Sequence, residues 1–309
     1  MGILLAMHGA VSQGILWGVM ALGLYLTFRV LGIADLTVDG SFATGGAVTG
    51  VLIMHGMNPL LSLLVAFLAG MVTGVVTGLI HTKIKINVLL ASILTMIALY
   101  SVNLRIMGKS NTPLLGCDTV MLFFCDKFQM STTSAGLAVG LIFVTVLIAA
   151  MYWFFGTEIG SVMRATGCNE DMIRALGVNT DHMKILGLAF SNGLVALSGA
   201  LVAQGQGYAD AGMGTGTIVI GLASIIIGEV LLGKHFGFWW TLISVVFGSI
   251  VYRIIIAIVL QLGLKSSDLK LLTAVIVVFA LSMPVIRDRI SRKKRMAALA
   301  AKIAEINKK

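Results

Sequence analysis

The residues best placed to do chemistry in this chain sit in one short run, DLTVDGSFAT over 35–44. Two carboxylates and three hydroxyls are set there between long apolar stretches. Ionisable groups near lipid are costly and mark functional sites by default. Irregular backbone at membrane depth must be walled by protein or line a water-filled cavity. Asp35, Thr37, Asp39, Ser41 and Thr44 are therefore candidates for the lining of a solute path. The competing reading is structural: Asp35 and Asp39 cap helix ends at the inner face. Asn87, Ser92 and Thr95 enter a later apolar segment and could line the same path, or hydrogen-bond between helices.

Other chemistry is thinly represented. The run GEVLLGKH over 228–235 has phosphate-loop spacing up to its last position, where His235 stands in place of the Ser or Thr that would hold magnesium. It also follows an apolar segment rather than a strand, so a nucleotide site is not expected. The five histidines have no metal-ligand spacing. No nucleophile, base and oxyanion donor fall together. Glu229 and Arg253 are both intramembrane charges, but their depths disagree: Arg253 lies about 22 Å further along an outgoing segment. Arg253 is expected to snorkel toward the outer face. Cys117 and Cys125 share one loop where a disulfide is compatible with an external compartment, and Cys168 is expected to be inert.

The elements that must position these residues follow from composition. The chain has 309 residues, 58% hydrophobic and 11% charged, with mean hydropathy +1.01. Soluble domains carry about 25% charged residues, so a water-soluble globule is excluded, and so is intrinsic disorder. The expected fold is all-α and polytopic. A span needs about 20 apolar residues. Nine segments qualify: Val11–Leu31, Val38–Met54, Leu60–His81, Val88–Met107, Ser134–Phe155, Met183–Gln204, Thr217–Leu232, Phe238–Leu262 and Leu269–Ile286. The second and seventh are short and rich in small residues, as tilted, broken or re-entrant elements are. Glycines repeat every four residues at 70, 74 and 78, at 14 and 18, and at 136 and 140. Such stripes let helix backbones approach closely, with packing inside the chain the expected use.

Orientation is read from Lys and Arg in short loops. Lys83 and Lys85, Arg164 and Arg174, Lys234 and the tail alternate correctly as cytoplasmic. The net charge is +9, of which the tail Arg287–Lys309 carries +7 from nine basic and two acidic residues. The expected layout is a permease domain over 1–286 and a basic cytoplasmic tail over 287–309, with the N-terminus outside. The segments Gly108–Thr133 and Gly205–Gly216 are then external loops, the latter a candidate contact for a binding protein.

The longest internal polar stretch, GTEIGSVMRATGCNEDMIRALGVNTDH over 156–182, reads as two short helices. The first, Glu158–Thr166, stops at Gly167. The second starts at Asn169 as N-cap, carries Glu170 and Asp171 in its first turn and ends at Gly177. Met172, Ile173 and Leu176 are expected to share one apolar face. A short capped amphipathic helix on the cytoplasmic side suits another protein's groove or rests on the bilayer surface.

The run ATGCNEDMIRALGVNTDHMKILGLAFSNGLVALSGALVAQ resembles the cytoplasmic coupling loop and following span of ABC-importer permeases, of the branched-chain amino-acid and ribose permease group. Arg164, Ala165, Gly167, Asn169, Ala175, Gly177, Val178 and Asn179 carry the likeness, with one residue of spacing difference. LGIADLTVDGSFATGGAVTGVL and KIKINVLLASILTM resemble two further elements of that group. The likeness is strongest to permeases paired with tryptophan- or tyrosine-type substrate-binding lipoproteins. Ribose permeases carry an extra N-terminal span that is not evident here.

The resemblance implies a bacterial cytoplasmic-membrane permease acting as a homodimer. Its partners would be a cytoplasmic ABC ATPase dimer, an extracytoplasmic binding protein and membrane lipid, with no nucleic acid. ATP and magnesium would sit on the ATPase, and this chain would bind no cofactor or metal and catalyse nothing. ATPase coupling would fall on Arg164, Gly167, Asn169, Glu170, Ile173, Ala175, Leu176 and Gly177. Two other readings remain at this point: an ion-gradient-coupled secondary transporter, which would need an internal repeat, and an intramembrane enzyme, for which Asp35 and Asp39 form the nearest approach to a catalytic pair.

Overall fold

A computed structural model describes residues 2–233, 237–263, 271, 273–279 and 282. The helices are α1 (Gly2–Tyr25), α2 (Thr37–Met54), α3 (Pro59–Thr82), α4 (Val88–Met107), α5 (Val120–Phe128), α6 (Thr132–Gly156), α7 (Glu158–Cys168), α8 (Glu170–Ala175), α9 (Thr180–Gln206), α10 (Thr217–Leu232) and α11 (Phe238–Gln261). A π-helical turn, Leu26–Val30, continues α1. The one departure from all-helical architecture among the described residues is a two-stranded ribbon. Its β1 (Asn111–Pro113) pairs antiparallel with β2 (Tyr208–Asp210), with Thr112 opposite Ala209.

Six helices of the described residues are long and apolar enough to cross a membrane: Ala6–Val30, Pro59–Thr82, Val88–Met107, Thr132–Gly156, Thr180–Gln206 and Phe238–Gln261. This is fewer than the nine segments expected. Helix α10 is apolar but has only 16 residues. Helix α2 is not among the six, because glycine, threonine and serine replace the aliphatics that lipid contact demands. The ninth segment, Leu269–Ile286, falls for the most part outside the described residues. Lys234–Phe236 and the tail Arg287–Lys309 fall wholly outside them.

Two of the six spans form the interior. Those of α1 and α9 are 83% buried over their apolar windows, against 28–39% for α3, α4, α6 and α11. The glycine stripes explain how the layers close. A Cβ at Gly74 would lie 2.2 Å from the Leu188 carbonyl oxygen, and one at Gly70 2.4 Å from the Asn192 carbonyl oxygen, so α3 lies backbone to backbone on α9. Gly14 and Gly18 face Ile250 and Val246 of α11, and Gly136 and Gly140 face Ser12 and Ile15 of α1. All three stripes are spent on packing within the chain.

Helix α2 is the central element, with most of its length buried under α3, α4 and α9. Gly45 admits the Ala196 carbonyl oxygen to within 1.9 Å of where a Cβ would stand. The segment expected to be a free external loop, Gly205–Gly216, instead runs down the side of α2. Ala209 lies against Gly50, Met213 against Gly46 and Gly214 against Asp39. Gly50 and Asp39 are separated by about 16 Å along the helix. The strap therefore runs along most of α2 as irregular backbone, and α10 begins level with Asp39, near the start of α2.

Candidate translocation and coupling sites

Residues 31–36 leave the π-helical turn without helical structure and lead into α2. They bring Asp35 against α9 beside Asn192, about 18 Å along that helix from Thr180. Helix α9 is about 40 Å long, so this is near its middle. Asp35 is 1% exposed. Its Oδ1 accepts the Thr37 N–H at 2.9 Å, capping α2, and its Oδ2 accepts Asn192 Nδ2–H at 2.7 Å. Ser41 donates to Asn192 Oδ1 at 2.6 Å and pairs with Thr73 Oγ1 at 2.7 Å. Thr37 pairs with Thr77 Oγ1 at 2.8 Å. Asp35, Thr37 and Ser41 thus join three residues that sequence reasoning missed: Thr73, Thr77 and Asn192. The missed three lie on α3 and α9, and at single-sequence level each looks like an ordinary helix hydroxyl or amide.

Asp39 does something else. Its Oδ2 accepts the Gly216 N–H at 2.8 Å, and its Oδ1 accepts Thr217 Oγ1–H at 2.7 Å and the Ile218 N–H at 2.9 Å. It is the cap of α10, supplied from another helix. A carboxylate at a helix N-terminus satisfies orphan N–H groups and opposes the positive helix end. Both acids therefore receive helix-start N–H groups, Asp35 level with the middle of α9.

The remaining path candidates scatter. Thr44 returns its hydroxyl to Gly40 O at 2.9 Å, Ser92 to Leu89 O at 2.9 Å and Thr95 to Ala91 O at 3.0 Å, all within their own helices. Asn87 does not join the Asp35 cluster. It is exposed, caps α4 through the Leu89 N–H at 3.0 Å, and borders a cavity of about 670 Å³ together with Lys85, Arg174, Asn179 and Lys184. Asn87 belongs with the end of the molecule that carries α8.

That end is built around two short helices. Asn169 caps α8 by accepting the Met172 N–H at 3.1 Å. Glu170 is bound by Arg174 at 2.7 Å, by Lys184 of α9 at 2.7 Å and by the Thr180 hydroxyl at 3.1 Å, so α8 is pinned to the start of α9. The expected single apolar face is divided. Ile173 is 5% exposed and packs inward, whereas Met172 and Leu176, four residues apart on one face, are 51% and 70% exposed. Residue 173 stands about 100° around the helix from 172, which is what separates it. Ala175 is exposed, and Gly177 ends the turn at φ +84°.

Helix α7 ties this unit to the rest of the chain. The Arg164 guanidinium lies 5.0 Å from the centre of the Phe238 ring at the start of α11. Gly167 is held so close to the π-helical turn that a Cβ would stand 1.9 Å from the Val30 carbonyl oxygen. Arg29, inside that turn, forms an ion pair with Glu229 of α10. The depth argument against a Glu229–Arg253 pair holds among the described residues, and Glu229 pairs with Arg29. The phosphate-loop lookalike is excluded as a loop. Its first glycine, Gly228, sits inside α10 with the Ser244 carbonyl oxygen 1.9 Å from where a Cβ would be. Cys117, Cys125 and Cys168 are free thiols. Among the described residues no group of His, Cys, Asp and Glu could hold a metal ion.

Glu170 gives α8 a pH dependence. Its hydrogen bond from Lys184 is the main cause holding its carboxyl below the usual 4.5, against a partial desolvation that acts the other way. A depressed folded pKa means the stabilising contribution is complete above the unfolded value and is lost as pH falls through the folded one. Amide protection across residues 170–175, measured against the intrinsic exchange rate, is therefore expected to hold from neutral pH to about pH 5 and to fall below it. Glu170→Gln should exchange fast throughout, with no such step; a step that persists in this variant would assign it to another group.

Comparison with known proteins follows this geometry. Residues 6–282 match the family described as branched-chain amino acid transport system / permease component. The chain is 40% identical over 300 residues to a tyrosine transport system permease protein of Clostridioides difficile (strain R20291), covering 96% of this chain and 98% of that one. It is 34% identical over 277 residues to an uncharacterised protein, RP368, of Rickettsia prowazekii (strain Madrid E), covering 88% and 95%. No solved structure matches the chain. With a buried polar centre shared by α2, α3 and α9, apolar spans around it and a match running through nearly all of it, this chain belongs to the branched-chain amino acid transport system permease family and is an integral membrane permease.

Proposed function

We propose that this permease forms the translocation path of an ATP-driven importer for an aromatic amino acid. The observation that carries the reading is α8: a capped helix clamped at Glu170 to α9, offering Met172 and Leu176 outward. Exposed apolar side chains on a rigid cytoplasmic helix suit a groove on another protein. That partner is a cytoplasmic ABC ATPase dimer, which holds ATP and magnesium. Arg164, Gly167, Asn169, Glu170, Ile173, Ala175, Leu176 and Gly177 form the coupling unit. The working assembly is a homodimer of this chain in a bacterial cytoplasmic membrane, with the N-terminus outside and the C-terminus inside, served by an external binding lipoprotein. Its solute class follows the tyrosine-transport relative.

The Asp35–Asn192–Ser41 cluster supports a path through the bundle of α2, α3 and α9. In the closed arrangement its polar groups satisfy one another, and opening would expose them to solute and water. The coupling route runs from α8 through α7 to the π-helical turn at Gly167 and on to α10 through Arg29 and Glu229.

The test is uptake. Cells carrying this chain with its ATPase and binding protein should accumulate labelled tyrosine, and an inactive ATPase should stop it. Vesicles containing this chain alone should accumulate none, even under a proton or sodium gradient. Accumulation by the lone chain would favour an ion-coupled transporter instead.

A further inference from the structure

Three of the six spans reach the membrane boundary at one place. Helix α3 ends at Thr82, α4 starts at Val88 and α9 starts at Thr180. The recess of about 670 Å³ lies where they meet, its wall including His81, Lys85, Asn87, Arg174, Asp181 and Lys184. The ends of apolar spans lie at the level of the lipid headgroups. One flank of the recess is apolar and open: Ile84, Leu89 and Leu90, beside Lys85 and Asn87, are all exposed. They lead onto α4, whose apolar window is the least buried of the six spans.

Charge in the recess does not balance. Lys85, Arg174 and Lys184 are opposed by Asp181 in the wall and by Glu170, which holds Arg174 and Lys184. With His81 neutral, three cations face two anions, and Lys85 is the one left over. Its ammonium is exposed and forms no ion pair or hydrogen bond among the described residues. Arg174 is exposed as well, and only its Nη2 is engaged, by Glu170 and the Thr180 hydroxyl. Lys85 also stands in left-handed backbone at φ +61°, where glycine is the relaxed choice. The turn is held there by His81, whose Nδ1–H donates to the Ile86 carbonyl oxygen at 2.9 Å. Backbone strain of this kind gathers at ligand sites.

We propose that this recess binds the phosphodiester headgroup of an anionic membrane lipid of the phosphatidylglycerol type. Lys85 and Arg174 take the phosphate, and the acyl chains run down the open flank of α4. Basic recesses between membrane helices at this level suit such headgroups. A phosphodiester carries one negative charge, which matches the surplus. A phosphomonoester or free phosphate carries about 1.5 to 2 and has no chains for the apolar flank. The hydroxyls of the headgroup glycerol donate to Asp181, which would repel a bare anion. A lipid seated here ties the turn between α3 and α4 to the corner of α8 and α9. The site does not depend on which solute the permease carries.

The experiment uses the purified full chain in dodecyl maltoside, with thermal unfolding followed as lipid is added. Phosphatidylglycerol should raise the midpoint by ~3 °C or more at saturation. Phosphatidylcholine, phosphatidylethanolamine and inorganic phosphate should not. Lys85→Gly, relaxed at this backbone angle, should unfold near the wild-type midpoint without lipid. It should need about fivefold more phosphatidylglycerol, or a greater excess, for half the shift. Lys85→Arg should keep the wild-type titration. Lys109→Gln, a charge removed beyond the other end of α4, should also titrate as wild type. Equal shifts from the zwitterionic lipids, a shift from inorganic phosphate, or no shift with phosphatidylglycerol would each overturn the site. So would a wild-type titration in Lys85→Gly. If that variant also failed to co-purify with the ATPase, the recess would belong to an acidic segment of that partner. Equal losses in Lys85→Gly and Lys109→Gln would reduce the effect to overall charge and overturn it too.

Discussion

Asp39→Ala is expected to abolish solute uptake and to cut the yield of folded permease, while Asp39→Asn keeps a fraction of both. The carboxylate receives two backbone N–H groups, from Gly216 and Ile218, and the Thr217 hydroxyl. Alanine leaves both N–H groups without this acceptor; the Ile218 N–H is part-buried, whereas Gly216 is exposed and can turn to water. An orphaned buried donor costs about 1–3 kcal/mol, a sizeable share of the ~5–15 kcal/mol that separates folded from unfolded chains. Asparagine restores one oxygen acceptor but no charge, so it opposes the helix dipole less well. Detergent-extracted yield and size-exclusion profile read stability, and labelled tyrosine uptake reads function. If Asp39 instead served solute passage alone, Asp39→Asn would lose uptake at full yield. A wild-type uptake rate in Asp39→Ala would show that α10 is not held by this residue.

Helix α8 was legible from its own residues because its signals are local. Asn169 followed by Glu170 and Asp171 specifies a helix start within one turn, and Gly177 specifies its end. The division of its apolar face was not legible, since Ile173 turns inward only because α7 and α9 lie beneath it. The shortness of α2 and α10 was legible as a deficit of apolar length, but its cause was not. The strap from Ala209 to Gly214 lies on α2 through contacts at Gly50, Gly46 and Asp39 that are more than 150 residues away in the chain. For the same reason the acids at 35 and 39 were recognised as unusual while their partners were not. Asn192 is one polar residue in a long small-residue helix, and nothing local marks it as the group that receives Asp35. Glu229 shows the limit of depth arithmetic: it excluded Arg253 correctly but could not select Arg29, which lies 200 residues earlier.

The proposed coupling route meets its narrowest point at Gly167, and Gly167→Val is expected to leave ATP hydrolysis running while uptake falls tenfold or more. A Cβ at 167 would stand 1.9 Å from the Val30 carbonyl oxygen and 2.9 Å from the Leu31 Cα. Both obstacles are backbone, so no side chain can swing aside, and α7 must lift away from the π-helical turn. Overpacking of this kind costs about 1–3 kcal/mol, which corresponds to roughly a five- to 150-fold change in a coupled equilibrium. The displaced α7 would also loosen the hold of Arg164 on Phe238. Helix α8 itself, capped by Asn169 and pinned by Lys184, would survive, so the ATPase should still co-purify with this variant. Ala175→Pro makes the contrast. It breaks α8 at an exposed position, so ATPase binding and uptake should fall together. The pair separates docking from transmission: hydrolysis without uptake in Gly167→Val places the mechanical step at the contact between α7 and the π-helical turn. Normal uptake in that variant would show that force reaches the path through α6 and α9 alone.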